Sequence, residues 1–479
     1  MASTLGLEGI EAIMLRTVNQ QPTLWEAILP EALLGLPAEL EAVDRLLDDP
    51  VFFEPYRAFF HATLGRPSIP IETYLRLMFL KYRYRLGFEP LCREVADSIS
   101  WQRFCRIPLG GTVAHPTTLM KITTRCGTAA VDGLNETLLA KAAAAKVLKT
   151  NRVRADTTVV EADVVYPTDS GLLAKGVARM AALAKRIQAG GLAVRTPYGP
   201  RSETGPGWCT GTPGRSPRTC GDALTRPART SRRSTSNSPR WPRRRSVRHG
   251  RSCATHNAAC SHARQRSPDG STRCCQMLRE LQQLATRVER VVAQTRLRIS
   301  GVTPDGATRL VSLHDPDARP IAKGRLGRPV EFGYKAQVID NDDGIVVDYQ
   351  VERGNPPDAP MLAPAIRRVA RRAGRPPRAV TADRGYGETA VEQAVRDLGV
   401  RTVALPTKGK PTAARRAWEQ RRSFQRLVKW RTGSEGRISC LKRDFGWART
   451  RIDGLQGART WCGHGVFNHN LVKIAALVA

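Results

Sequence analysis

RAVTADRGYGETAVEQAV, residues 378–395, changes character twice within a short span. It opens as a brief apolar run, breaks at Asp383 into Arg384 and two glycines, Gly385 and Gly387, and then takes up the spacing of an amphipathic helix. Strand, turn and helix in that order are the building unit of an α/β sheet, where side chains at strand ends converge on a crevice. A lone aspartate at such an end is more often a turn residue than a ligand. Asp383 therefore needs partners, and the rest of the chain has to supply them.

Working outward, NRVRADTTVVEADVV (151–165) reads as a strand rich in β-branched residues with Asp156 in its middle. EFGYKAQVID (331–340) and GIVVDYQV (344–351) form a hairpin across the turn NDDG. APMLAPAIRRVARRAG (359–374) is helical, with Asn355 and Asp358 expected to shape its turn and cap it. Beyond Asp383 come the helix ETAVEQAVRDLG (388–399) and the strand RTVALP (401–406). Three strands, helix, strand, helix, strand predict a mixed α/β sheet with helices on its faces. The basic stretch RSFQRLVKWRTGSEGRISCLKRDFGWARTR (422–451) follows, and a helix there would bring Arg431, Glu435 and Lys442 roughly to one side. A glutamate among so many bases is either an ion-pair partner or a ligand.

Ahead of the sheet, residues 69–105 predict a helix with Leu75, Met78, Phe79 and Tyr82 on one face, then a break at Gly87–Pro90 and a second helix through Val95 and Ile99. HPTTLMKITTRC (115–126) opens a third helix with Pro116 near its first turn. Helix, turn, helix is a shape that enters a major groove, and Thr117, Lys121 and Arg125 share one face of the last helix as candidate DNA contacts. The alternative is a plain surface helix of a bundle.

The charge balance points the same way. With 76 Lys+Arg against 43 Asp+Glu the chain carries +33, an excess that a polyanion such as DNA or RNA would neutralise. No apolar run is long enough to cross a bilayer, and the start carries acids where a secretory signal carries bases, so the expected compartment is the cytoplasm. Six of the 11 cysteines fall in one segment without CxxC spacing, and reduced thiols are expected. Cys462, His464 and His469 lack a fourth ligand for a zinc site.

Residues 196–275 read unlike their surroundings. They hold 16 arginines but no lysine, isoleucine or phenylalanine, and only Leu224 and Val247 as branched aliphatics, which cannot build a core. One reading is an arginine-rich arm on phosphates. A second is a GC-rich gene read out of frame between two compensating frame changes, because helical patterns flank the segment on both sides, as in Leu278, Leu281, Leu284 and Val288. Disorder is expected under either. Without the 16 arginines and the three acids of the segment the charge is still +20.

Taken together, Asp156 on a first strand, Asp383 in TADRGYG, and Arg431, Glu435 and Lys442 spaced Arg, three residues, Glu, six residues, Lys resemble the bacterial insertion-sequence transposases of the DDE class, in the group holding the insertion sequence 4 and insertion sequence 5 families. HDPDARPIAKGRLGRPVEFGYKAQV (314–338), ERGNPPDAPML (352–362) and residues 69–127 also look like parts of that group. Where its signature has a tyrosine three positions before the arginine, this chain has Val428.

The resemblance implies a ribonuclease H-like mixed sheet flanked by helices, behind a helical N-terminal DNA-binding domain (1–145), with the sheet split into 146–170 and 301–479 by a large insertion (171–300) after the first catalytic strand. It implies that Asp156, Asp383 and Glu435 are catalytic and hold two Mg²⁺ ions, for which Mn²⁺ can substitute. Arg384, Arg431 and Lys442 would grip DNA phosphates. Tyr386 and Trp447 are candidates to stack beside a frayed DNA end, with core packing as the alternative. The implied activity is binding of terminal inverted repeats with metal-dependent strand cleavage and strand transfer. Partners would be double-stranded DNA, both transposon ends and target, and a second copy of the chain on that DNA, with the protein associated with the nucleoid. Two other readings are a DNA-binding remnant that no longer cuts and a non-transposing nuclease.

Overall fold

The computed structural model describes residues 13–17, 30, 35–61, 63–190, 268–325 and 327–478. The chain divides into two compact units, Met1–Gly176 with Thr286–Ala479, and Val177–Ala285.

The first unit begins with β1 (Ile13–Arg16) and α1 (Ala38–Leu47), followed by a short helical segment Pro50–Arg57 and β2 (Arg66–Pro70), which pairs with β1 in parallel. α2 (Ile71–Arg83) buries nearly every side chain, including the expected Leu75, Met78, Phe79 and Tyr82. α3 (Phe88–Asp97) stops two residues before Ile99, and a separate helix α4 (Ile99–Phe104) starts there. The correction has a local cause: Ser98 is extended and its hydroxyl accepts the Trp101 N–H at 3.3 Å, which caps a new helix where one helix through Ile99 was expected. α5 (Pro116–Ala144) is long, with a break in helical geometry at Gly127.

The sheet is built on β3 (Arg152–Glu161), whose side chains are mostly buried on both faces, as a central strand requires. After α6 (Asp169–Ala189) and α7 (Pro268–Ile299) come β4 (Arg319–Arg325), β5 (Arg328–Asn341), β6 (Val346–Arg353), α8 (Ala359–Ala373), β7 (Ala379–Ala382), α9 (Thr389–Asp397) and β8 (Thr402–Ala404). The strand order is β4-β5-β3-β7-β8, with β6 sharing β5's outer edge with β4. β3 runs antiparallel to β5 and parallel to β7, so the expected mixed sheet is present, with β4 as an added strand. α10 (Ala413–Glu419), α11 (Arg422–Arg431), α12 (Gly433–Asp444) and α13 (Gly454–Val478) complete the chain.

Alternation along the strands sends side chains into two cores. Val153 and Ala155 of β3, Ile339 of β5 and Val380 and Ala382 of β7 pack with Leu362, Ile366 and Val369 of α8. On the opposite face Val160, Ala336 and Val338 join a core shared with α1, α2, α5 and Phe467 and Leu471 of α13. The N-terminal helices and the last helix thus bury each other. Each fully buried aliphatic or aromatic side chain in these cores contributes about 1.5–3 kcal/mol.

Of the second unit, the described residues are the later part of α6 and the earlier part of α7, where Leu278 and Leu281 are half-buried and Leu284 is buried. Most of the segment expected to be disordered lies outside the described residues. Its end does not conform: Pro268–Cys275 form the first turns of α7, so the helical pattern begins earlier than composition indicated.

Candidate active site

Strand register brings the first two acids together. Arg154 pairs with Thr381 and Ala155 with Ala382, so Asp156 and Asp383 occupy the next position of parallel neighbours and project from the same face. On that face Ala379 packs beneath Phe424 and Leu427, which places α11 over β7 and β8. The C-terminal end of α11 delivers Arg431, whose Nη1 lies 3.2 Å from Asp156 Oδ2 and whose Nη2 lies 3.5 Å from Glu435 Oε1. One guanidinium therefore links two of the three acids.

Asp156 is buried, while Glu435 is 70% exposed at the start of α12. Burial pushes the Asp156 carboxyl up to about 6; the Thr157 N–H and Arg431 pull it back, and the charges of Asp383 and Glu435 push it further up. Both other acids thus act on Asp156 electrostatically. Asp383 Oδ1 accepts the Gly385 N–H at 2.8 Å, closing the turn after β7.

The two glycines of this turn serve close approach of the protein to itself. A Cβ on Gly385 would sit 2.8 Å from Asp358 Oδ2 and 3.0 Å from Asp383 Oδ1, and one on Gly387 would overlap the Pro406 carbonyl. Asp358 stands at the N-cap of α8 but its side chain makes no capping bond, contrary to expectation; it pairs with Lys335 Nζ at 2.6 Å. Lys335 is buried and also donates to the Pro356 carbonyl at 2.7 Å, and satisfying its charge outweighs a cap bond worth about 1 kcal/mol. Asp383, Asp358, Asn355, Lys335, Lys323 and Thr157 line a polar pocket of ≈ 300 Å³ beside the acids.

Other expected residues lie as follows. Lys442 is half-buried on α12. Arg384 Nε and Nη2 donate to the carbonyls of Thr407 and Gly409 at 3.0 and 2.6 Å, tying the turn to the next loop. Thr117 and Lys121 are exposed near the start of α5, opposite the buried Leu119 and Ile122, and Arg125 lies over the Phe60 ring at 5.9 Å. Tyr386 and Trp447 are fully buried, so neither presents a ring for stacking: Gln337 donates to the Tyr386 hydroxyl, and Trp447 Nε1 donates to the Cys462 carbonyl. Cys462, His464 and His469 are core residues of α13; burial pushes both histidines down to about 3, and Arg437 donates to His469 Nε2 at 2.7 Å.

One group went unread in the sequence. Arg154 donates from Nε and Nη2 to Asp340, and from Nη1 to the Trp430 carbonyl at 2.8 Å, while Ser434 donates to Asp340 at 3.3 Å. This buried set fixes the α11–α12 junction over Asp156. The alternation that puts Arg154 and Asp156 on one face of β3 was the available signal.

Among the described residues, no three His, Cys, Asp or Glu side chains are spaced to hold a metal ion. The donor types do suit a hard divalent cation, which prefers carboxylate oxygens, and the charges of Asp383 and Glu435 both reach Asp156. In this arrangement Arg431 supplies positive charge between Asp156 and Glu435.

Fold and site define an α/β protein with acids on adjacent parallel strands beside a basic helix, packed against a helical layer. Residues 30–125 match the family described as Transposase domain (DUF772), and residues 305–471 match the family described as Transposase DDE domain. The chain belongs to the DDE-class insertion-sequence transposases, DNA-acting polynucleotidyl transferases. Asp383 and Glu435 fall inside the DDE match, whereas Asp156 precedes it. No curated protein and no solved structure matches the chain. Among the described residues no helix is long and apolar enough to cross a membrane.

Proposed function

We propose that this transposase binds terminal inverted repeats and cuts and rejoins DNA strands at Asp156, Asp383 and Glu435, on a ribonuclease H-like sheet of the kind found in the insertion sequence 4 and 5 group. The observation that carries this is the β3–β7 register, which sets Asp156 beside Asp383, together with the Arg431 link from Asp156 to Glu435.

Asp156, Asp383 and Glu435 would hold Mg²⁺, which when bound supplies an activated water and neutralises the leaving oxygen. The protein's own contribution is positional. β3 and β7 fix two carboxylates rigidly, and the Arg154–Asp340 pair fixes the helix end bearing Arg431. Arg431 and Lys442 then meet phosphate oxygens flanking the scissile bond, where bidentate guanidinium contacts orient the reacting phosphate. Thr117, Lys121 and Arg125 contact the repeat from α5, and Arg384 meets the backbone near the turn. Two DNA ends call for two copies of the chain.

The test uses a labelled terminal repeat with Mg²⁺ or Mn²⁺. Asp383→Asn keeps an acceptor for the Gly385 N–H, so its fold is expected to hold. Metal-dependent nicking by the native protein and none by the variant supports the proposal, whereas equal nicking by both overturns it.

A further inference from the structure

From Lys408 to Ser434 the chain holds nine Lys and Arg and one acid, Glu419. That acid is already taken: Arg415 Nε lies 2.9 Å from Glu419 Oε1, and Thr407 donates to the same oxygen from its N–H and its hydroxyl. Arg415 itself also pairs with Glu392 at 2.8 Å. The remaining cations of α11 have no acid of their own segment to meet.

Their placement follows from helix geometry. Phe424, Leu427, Val428 and Arg431 recur at three- and four-residue spacing and form the anchored side: Phe424 and Leu427 are buried with Ala379 and Ala404, Val428 packs on them, and Arg431 reaches Asp156. Arg422, Arg426 and Lys429 recur in the same way on the opposite side, within an arc of about 60°, and all three are exposed. No ion pair involves any of them among the described residues. Like charges at such spacing each cost an isolated helix about 0.2–0.5 kcal/mol, so the stripe opposes the helix it sits on and is tolerated only because the apolar side is anchored.

The stripe spans roughly 10 Å along the axis, enough to meet two or three successive phosphates of a nucleic-acid backbone. We propose that Arg422, Arg426 and Lys429 form a backbone-binding track for duplex DNA on the side of α11 turned away from Arg431 and the three acids. This rests on the reading of the site as a DNA-cutting centre and adds a surface to it. Arginine and lysine on phosphates neutralise charge without reading bases, so the track holds flanking or target duplex whatever its sequence.

The experiment is a salt titration of binding by fluorescence anisotropy, with a terminal-repeat duplex and an unrelated duplex, for the native chain, R422Q/R426Q/K429Q, and K429E alone. Each lost phosphate contact is expected to flatten log K against log[salt] by about 0.9, so the triple variant loses nearly three units of slope and the single variant about one. At physiological salt the triple variant should bind both duplexes roughly 10- to 100-fold more weakly. An unchanged slope overturns the track, and so does a loss confined to the repeat, which would mean base reading. If the native chain nicks DNA in an Asp383-dependent way while the triple variant keeps its slope, the track falls and the catalytic reading stands. If the native chain binds neither duplex, both fall.

Discussion

Arg431 is the residue on which the site's balance depends. Its two nitrogens meet Asp156 and Glu435, and it is 17% exposed, so its charge is only partly screened. Removing it leaves a buried carboxylate with more acid neighbours than cations. Arg431→Ala is expected to lower stability by about 1–3 kcal/mol in urea unfolding, and by less than about 1 kcal/mol in an Asp156→Asn background, because the unpaired charge is then absent. Equal costs in both backgrounds would show that the pair does not couple. Lys442→Ala provides the kinetic counterpart: cleavage and repeat binding should fall together, by about tenfold for one charged phosphate contact, and unchanged cleavage would remove Lys442 from the site.

At the scale of elements, the decisive feature is the junction between α11 and α12. Spacing alone suggested one helix carrying Arg431, Glu435 and Lys442, but the structure divides it at Thr432, with Gly433 starting the second helix. The break coincides with Arg154, since a Cβ on Gly433 would overlap the Arg154 guanidinium that holds Asp340 and the Trp430 carbonyl. Gly433→Ala should therefore cost about 1–3 kcal/mol and depress cleavage more than repeat binding, measured by urea unfolding and by nicking against anisotropy. If cleavage survives intact, the Arg154–Asp340 set does not position Arg431. The strands and helices of the sheet were legible because β-branched runs and apolar spacing are local signals, and Asp156, Asp383 and Glu435 stood out as candidates through their motifs. The Arg154–Asp340 pair was not, because its partners lie far apart in sequence and meet only through strand register. For the same reason Asp358 looked like a helix cap, and its pairing with Lys335 could not be foreseen.

At the scale of the first unit as a whole, the N-terminal helices are joined to the mixed sheet through α13, and a single lysine marks that junction. Lys81 on α2 is 3% exposed, and its Nζ lies 4.2 Å from the Trp461 ring centroid and 4.7 Å from those of Tyr82 and Phe88. Burial pushes it down to about 7, with Arg451 adding repulsion, and Lys81 in turn acts on His464, which is stacked on Tyr82. Because the folded value lies below the ordinary 10.5, the unfolded chain binds the extra proton between pH 7 and 10.5. Stability from this group therefore rises with pH across that window, and its full cost applies below pH 7. The ring faces offset part of that cost, each by about 0.5–2 kcal/mol. Lys81→Met, which keeps the volume and removes the charge, is expected to raise stability by about 1–3 kcal/mol at pH 6 and by progressively less toward pH 10. Thermal unfolding of both proteins at the two pH values tests this. A variant less stable than the native chain at pH 6 would mean that the three rings outweigh burial and that the lysine holds the two layers together by its charge.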